Sequence, residues 1–354
     1  MKTRKQVIRI VFLVLGAALV MALVAAGFAN AGVDQAGTTA ANFLSVGAGP
    51  RIFGMGGATL GLGSDLAAGS WNAAALGWVD QTQVTLSHSG LDNQSLQEWA
   101  GVGGRFGKSG TRWSLSGLYQ GDGTFEGRDA SNVSTGSFSV SSFAVGAHLA
   151  QQIGPMLTFG LGAKTVSEKL ADVSGIGTTL DAGLMFRYGI FGAGLAAQNV
   201  GGHMTYSGVN YSFPTNYGVG IGLSHPRSGL SLAVDANFPS AYYSDVRAGA
   251  EWRWKEAVAL RAGYRSETGA TLDPLTGPTF GLGAGMSGFW FDYGYLVAGN
   301  GDGQHRVALT FFPGKWGGIG GDPFGQGTIP SEFGPSSSPK DPLVGPPAPK
   351  KGKP

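Results

Sequence analysis

The chain has 354 residues, a formal net charge of +2 and only 13% charged residues, about half the share of an ordinary soluble domain. Its 63 glycines follow no G-X-Y period, which excludes collagen, and near-neutral charge gives no field for nucleic acid. With no cysteine there is no disulfide, thiol catalyst or Cys-based metal site.

Residues 1–31 read as a secretory signal peptide. Lys2, Arg4, Lys5 and Arg9 form a positive start, residues 10–28 are apolar, and Ala29-Asn30-Ala31 is a cleavage site. An apolar run of this length also suffices for a retained anchor. The small-residue site directly behind it favours cleavage.

Residues 32–81 form a glycine- and alanine-rich segment ahead of the strands. Its centre, RIFGMGGATLGLGSDLAAGSWNAAAL over 51–76, is too rich in glycine for a stable helix and too irregular for a strand. A compact small-residue segment of this kind fits inside a barrel as a hatch. Gly54, Gly56 and Gly57 invite a nucleotide-loop reading but lack the flanking strand, the helix and the Lys-Ser/Thr pair. Close backbone packing, which glycine permits, is the better reading. Asp65 and Asn72 suit turns whose backbone donors they satisfy, with ligand binding as the alternative for Asp65. Trp71 suits a wedge between hatch and wall.

From 82 to 312 the pattern alternates with period 2, one apolar and one polar face per segment. In 245–255, Val246, Ala248, Ala250, Trp252 and Trp254 oppose Asp245, Arg247, Glu251, Arg253 and Lys255. The same holds for Val258, Leu260, Ala262 and Tyr264 against Arg261 and Arg265, and for Phe291, Tyr293 and Tyr295 against Asp292. The segments run to about 10–12 residues, where globular strands average 5–6. Aromatics gather at segment ends, as interfacial girdles do.

The expected strands are 82–89, 96–106, 111–120, 138–151, 155–167, 176–187, 189–199, 214–224, 228–237, 243–254, 257–266, 278–287, 288–297 and 303–312. Tight turns alternate with longer connections, notably 121–137, 200–213 and 267–277. This is the outer-membrane pattern. The expectation is an all-β, transmembrane antiparallel β-barrel of about 14 strands with an N-terminal hatch. It puts the N-terminal segment and the C-terminus on the periplasmic side. Outer-membrane lipid would surround it.

Residues 313–354 hold 10 of the 17 prolines together with serine, glycine, Lys350, Lys351 and Lys353. Such a tail cannot bury a core. It reads as a periplasmic spacer, or alternatively as a contact with anionic cell-wall material.

Phe43-Leu44, Gly47-Ala48-Gly49, Arg51, Gly54-Met55-Gly56-Gly57-Ala58, Asp65, Ala68 and Trp71-Asn72 together resemble the N-terminal signature of the PorV/PorQ family. These are outer-membrane barrels similar to the FadL long-chain fatty-acid transporter. Residues 303–310 resemble that family's closing strand. The sequence departs at Ala73-Ala74-Ala75, where the family has Pro-Ala-Gly. The resemblance implies a fourteen-stranded FadL-like barrel with a hatch. It also implies one of two roles. The first is supporting protein export or surface attachment, type IX secretion-like, with exported proteins or other secretion components as partners. The alternative is passing hydrophobic small molecules across the outer membrane.

The inward charges include Arg247, Glu251, Arg253, Arg261, Arg265, Asp292 and Arg306, with Asp181 and Asp235 elsewhere on the ring. The arginines on adjacent strands form a strip that either fills the lumen with paired charges or holds a carboxylate. No cofactor motif is present. His88, His148, His203, His225 and His305 lack metal spacing. Ser87-His88 points to opposite faces of a strand, which is poor geometry for a catalytic pair. The chain reads as non-enzymatic.

Overall fold

The computed structural model describes residues 37–313 apart from 92–93, 108, 256, 268–275, 287 and 298–302. The leader at 1–31 and nearly all of the tail at 313–354 lie outside the described residues.

Sixteen strands form: β1 Gln83–Gly90, β2 Leu96–Arg105, β3 Thr111–Arg128, β4 Ser134–Ile153, β5 Leu157–Leu170, β6 Val173–Tyr188, β7 Phe191–Val200, β8 His203–Tyr206, β9 Val209–Ser212, β10 Asn216–His225, β11 Leu230–Pro239, β12 Asp245–Trp254, β13 Val258–Glu267, β14 Gly277–Met286, β15 Phe289–Leu296 and β16 Gln304–Phe311. Fourteen make one antiparallel ring, and β8–β9 is a small hairpin hung on the end of β6. The ring closes where β1 pairs with β16, from Val84 opposite Phe311 to Gly90 opposite His305. Closure leaves no open edge along the wall, the condition for crossing a bilayer with strands. No helix among the described residues is long and apolar enough to cross a membrane.

The wall is inside out relative to a soluble protein. Leu161, Leu282 and Leu309 face outward at 58%, 53% and 46% exposure, while inward Asp235, Glu251 and Arg306 are at 0–1%. β12 alternates buried Asp245, Arg247, Glu251 and Arg253 with exposed Val246, Trp252 and Trp254. An apolar exterior with Trp252, Trp254, Tyr264 and Tyr119 towards its edges is that of an outer-membrane-type barrel.

Two expected connections turn out to be paired. The 121–137 stretch continues the β3–β4 ladder past a bulge between Gly121 and Thr124, with Phe125 opposite Phe138. Both faces are exposed there, so no apolar face marks the strand and the alternation disappears. Likewise 200–213 contains the β8–β9 hairpin. Most of 267–277 falls outside the described residues.

The N-terminal segment carries two short helices, α1 Pro50–Gly54 and α2 Leu66–Gly69, and 3-10 turns at Asn42–Ser45 and Ala73–Trp78. It runs through the ring, against β5 and β6 on one side and β14 and β15 on another. At the end with long connections, the Ala40 amide donates to the Ser212 carbonyl of β9. At the tight-turn end, Thr82 lies against Gly104 of β2.

The outward face of β14 gives a direct test of the membrane-facing assignment. Leu282→Arg should cost about 2–4 kcal/mol in denaturant titrations of the protein folded into lipid vesicles. The inward Thr279→Ser should cost far less.

Candidate functional site

The segment meets the wall through glycine. Gly56 has φ of +67° and Gly57 of +87°, and a Cβ on Gly263 of β13 would sit 2.2 Å from the Gly56 nitrogen. No side chain fits such an approach. Four strands further round the ring, a Cβ on Gly194 of β7 would lie 1.9 Å from the Leu60 carbonyl oxygen. The freed backbone groups find side chains. Thr279 Oγ1 accepts from the Gly56 amide at 2.9 Å and donates to the Gly54 carbonyl at 3.2 Å. Asp235 Oδ2 accepts from the Thr59 and Leu60 amides at 2.6 and 2.9 Å. Gly54, Gly56 and Gly57 each lie against the wall, where a Cβ would come within 2.9 Å of Gly281, 2.7 Å of Tyr264 and 2.9 Å of Arg247 respectively.

Arg51 joins α1, α2 and the wall. Its Nε and Nη2 pair with both Glu251 oxygens at 3.0 Å, and its Nη1 meets Asp65 Oδ2 at 2.9 Å. Burial works against this charge, but the Glu251 and Asp65 carboxylates outweigh it and raise the guanidinium pKa above its ordinary value. Asp65 also caps α2, accepting from the Ala68 amide at 2.7 Å. Asn72 caps the second 3-10 turn through the Ala74 amide and donates to the Leu60 carbonyl. Trp71 donates to the Ala48 carbonyl at 3.0 Å and lies under the Arg247 guanidinium, 4.9 Å from ring centroid. Asp65, Trp71 and Asn72 therefore tie the segment to itself and to the wall.

The inward arginines of β12 and β13 lie against carboxylates, whereas Arg306 of β16 lies against backbone carbonyls. Glu251 receives Arg253 at 3.1 Å and Arg261 at 2.6 Å in addition to Arg51. Arg261 also reaches Asp292 at 2.7 Å. Arg247 and Arg265 share Asp245 at 2.6 and 3.1 Å, and Arg265 reaches Glu267 at 3.0 Å. Arg306 donates to the Val46 and Gly47 carbonyls and stacks on Phe53. Sequence reasoning left out Arg51 and the counter-ions Asp245 and Glu267 as site residues. The polar-face position of Asp245 was the available signal; Arg51 lies outside any periodic pattern.

Towards the long-connection end the segment and wall enclose a cavity of about 390 Å³. Leu44, Val46, Trp71, Trp99 and Leu118 give it apolar surface; His148, Lys164 and Asn216 are among its polar lining. Asp181 holds His148 Nε2 at 3.0 Å and Lys164 Nζ at 2.9 Å. Nothing in the spacing of these three residues foretells the cluster, which β4, β5 and β6 assemble across the sheet. Above the cavity, Glu168 accepts from the Ala41 amide, Ser142 and the Tyr206 hydroxyl of β8. Burial and this carboxylate push the Tyr206 phenol up. Among the described residues no group of three or more His, Asp or Glu could hold a metal.

A solved structure described as the CymD monoaromatic hydrocarbon channel matches 75% of this chain and 98% of its own, at 14% identity and a TM-score of 0.53. The two share a fold. A mutant of the TodX monoaromatic hydrocarbon channel covers the same shares at 12% identity and a TM-score of 0.49, and the KdgM porin matches at 7% and 0.35. No protein-family model matches the sequence, and no curated protein does.

Gly263→Val places two methyl groups where the Met55–Gly56 backbone now lies. It should expel that part of the segment and leave the ring formed, so that trypsin cleaves at Arg51 in the variant and not in the parent. Glu251→Gln leaves buried guanidinium charge short of a partner, a loss of about 3–5 kcal/mol for a broken buried pair. Its ring should unfold at clearly lower temperature in heat-modified gel migration.

Proposed function

We propose that this protein is a channel for small hydrophobic molecules across the outer membrane, with the N-terminal segment as its hatch. The cavity carries this reading. A volume of about 390 Å³ lies in the range of small-molecule sites, and it sits between hatch and wall, so a molecule crossing the ring must pass the hatch. The fold shared with a channel named for monoaromatic hydrocarbons supports the same substrate class. The long connections face outward in this reading, so the cavity opens towards the cell exterior and the tight turns face the periplasm. The exterior partner of the wall is outer-membrane lipid.

The PorV/PorQ resemblance and its export role draw no observation of their own from this geometry. The paired lumen charges leave little that would select an exported protein's terminus.

With the hatch seated, purified protein in planar bilayers should show little ion conductance, and Gly263→Val should raise it several-fold or more. Vesicles containing the parent protein should take up a small hydrophobic dye faster than protein-free vesicles. Equal uptake by the two vesicle types, with no saturable binding of any hydrophobic solute, would refute the transport role. Loss of surface-delivered proteins on gene deletion would restore the export role.

A further inference from the structure

The cavity is lined at its long-connection end by the start of the N-terminal segment, through Gly37, Thr39, Asn42 and Leu44. The β8–β9 hairpin and one carboxylate hold this stretch down. Ala41 and Phe43 share an apolar cluster with Met204 and Tyr206 of β8 and with Phe213. The Ala40 amide donates to the Ser212 carbonyl of β9 at 3.0 Å. Near the end of β5, Glu168 accepts from three different elements: the Ala41 amide at 3.1 Å, the Ser142 hydroxyl of β4 at 3.3 Å and the Tyr206 hydroxyl of β8. Ala41 and Tyr206 donate to the same oxygen, Glu168 Oε2. Segment and hairpin are thus pinned to the wall at one atom.

The hairpin itself is lightly attached. β8 pairs with β6 only from Gly175 opposite Tyr206 to Gly177 opposite Met204. By contrast, β5 pairs with β6 from Leu157 to Leu170. β9 lies at the outer edge of the hairpin, and all of its residues are exposed. Gly201 and Gly202, with φ of +70° and +71°, form the root, and a Cβ on Gly201 would meet nothing within 4 Å. Elements with few buried contacts open at lower cost than the body they hang on, and hinges form at loop positions of this kind.

Resting on the transport reading above, we propose that the β8–β9 hairpin and residues 37–45 form a lid on the cavity, that the two lift together from the wall to admit a ligand, and that Glu168 is the latch. A lid that shuts over a bound molecule sets the rates of entry and release, while the cavity contacts set the affinity.

The test uses the full chain in detergent, with 4-nitrotoluene as the probe. Binding is followed by stopped-flow quenching of tryptophan fluorescence, since Trp71 and Trp99 line the cavity. The chain has no cysteine, so Ile176→Cys with Thr205→Cys introduces a single pair. These two residues are exposed and directly opposed across β6 and β8, at the separation of about 5 Å that antiparallel partners have and a disulfide spans. Oxidation should slow entry and release of the saturable component about tenfold or more and leave its Kd within about twofold, and reductant should reverse it. Tyr206→Phe, which removes one donor from Glu168, should speed both rates several-fold. Equal rates in the oxidised and reduced protein, or a change in Kd alone, overturn the lid and leave the transport reading standing. No saturable binding in the parent protein sinks both. If the cysteine pair fails to fold or to oxidise, unchanged rates in Tyr206→Phe overturn the lid by themselves.

Discussion

A ring of fourteen strands encloses more space than its own side chains fill, and here chain rather than water takes up much of that space. The rest of the structure follows from this. A backbone threaded through the lumen must come close to the wall, and it carries amides and carbonyls that need partners in a place water barely reaches. Glycine on both sides allows the approach. Thr279, Asp235 and Asn72 supply the partners. Thr279 and Asp235 are wall residues that would be out of place on the outward face, so the same alternation that makes the wall lipophilic outside furnishes groups that hold the segment inside, while Asn72 belongs to the segment itself.

Charge obeys the same economy of space. Arg51 and Glu251 sit where an unpaired ion would be expensive, and the pairing extends through Arg253, Arg261 and Asp292. Such a network adds little net stability over an apolar filling, but it is directional. A bidentate guanidinium pair fixes the angle at which α1 meets β12. The segment is thereby located as well as accommodated, and the cavity beside it has a defined shape.

How far the sequence reveals this depends on which residues face lipid. β12 and β13 are plain in the sequence because a bilayer outside and a polar lumen inside impose strict alternation. The upper halves of β3 and β4 are not, since beyond the apolar band both faces are wet and serine serves on either. The glycines of the N-terminal segment stand out in the sequence, while the wall residues they lie against do not. Gly263 and Gly194 look like any other strand glycine until the segment is laid across them. Ion partners are harder still, because Arg51 and Glu251 are 200 positions apart, and no local pattern links them. Gln198, Asn216 and Asn237 likewise come from three strands, and only their register puts their side-chain amides within hydrogen-bond reach.

The strands of the ring differ greatly in length. β4 has 20 residues and β3 has 18, while β15 and β16 have eight each. At roughly 3.3 Å per residue the longer ones extend some tens of ångströms further, and the paired Phe125–Phe138 stretch stands clear of its neighbours. Among the described residues the strands β3 to β6 therefore form a tall palisade, while β14 to β16 are short. Whatever comes to the mouth from the aqueous side meets a screen on the β3 to β6 flank, so the wall gives the route of arrival a compass direction around the barrel axis.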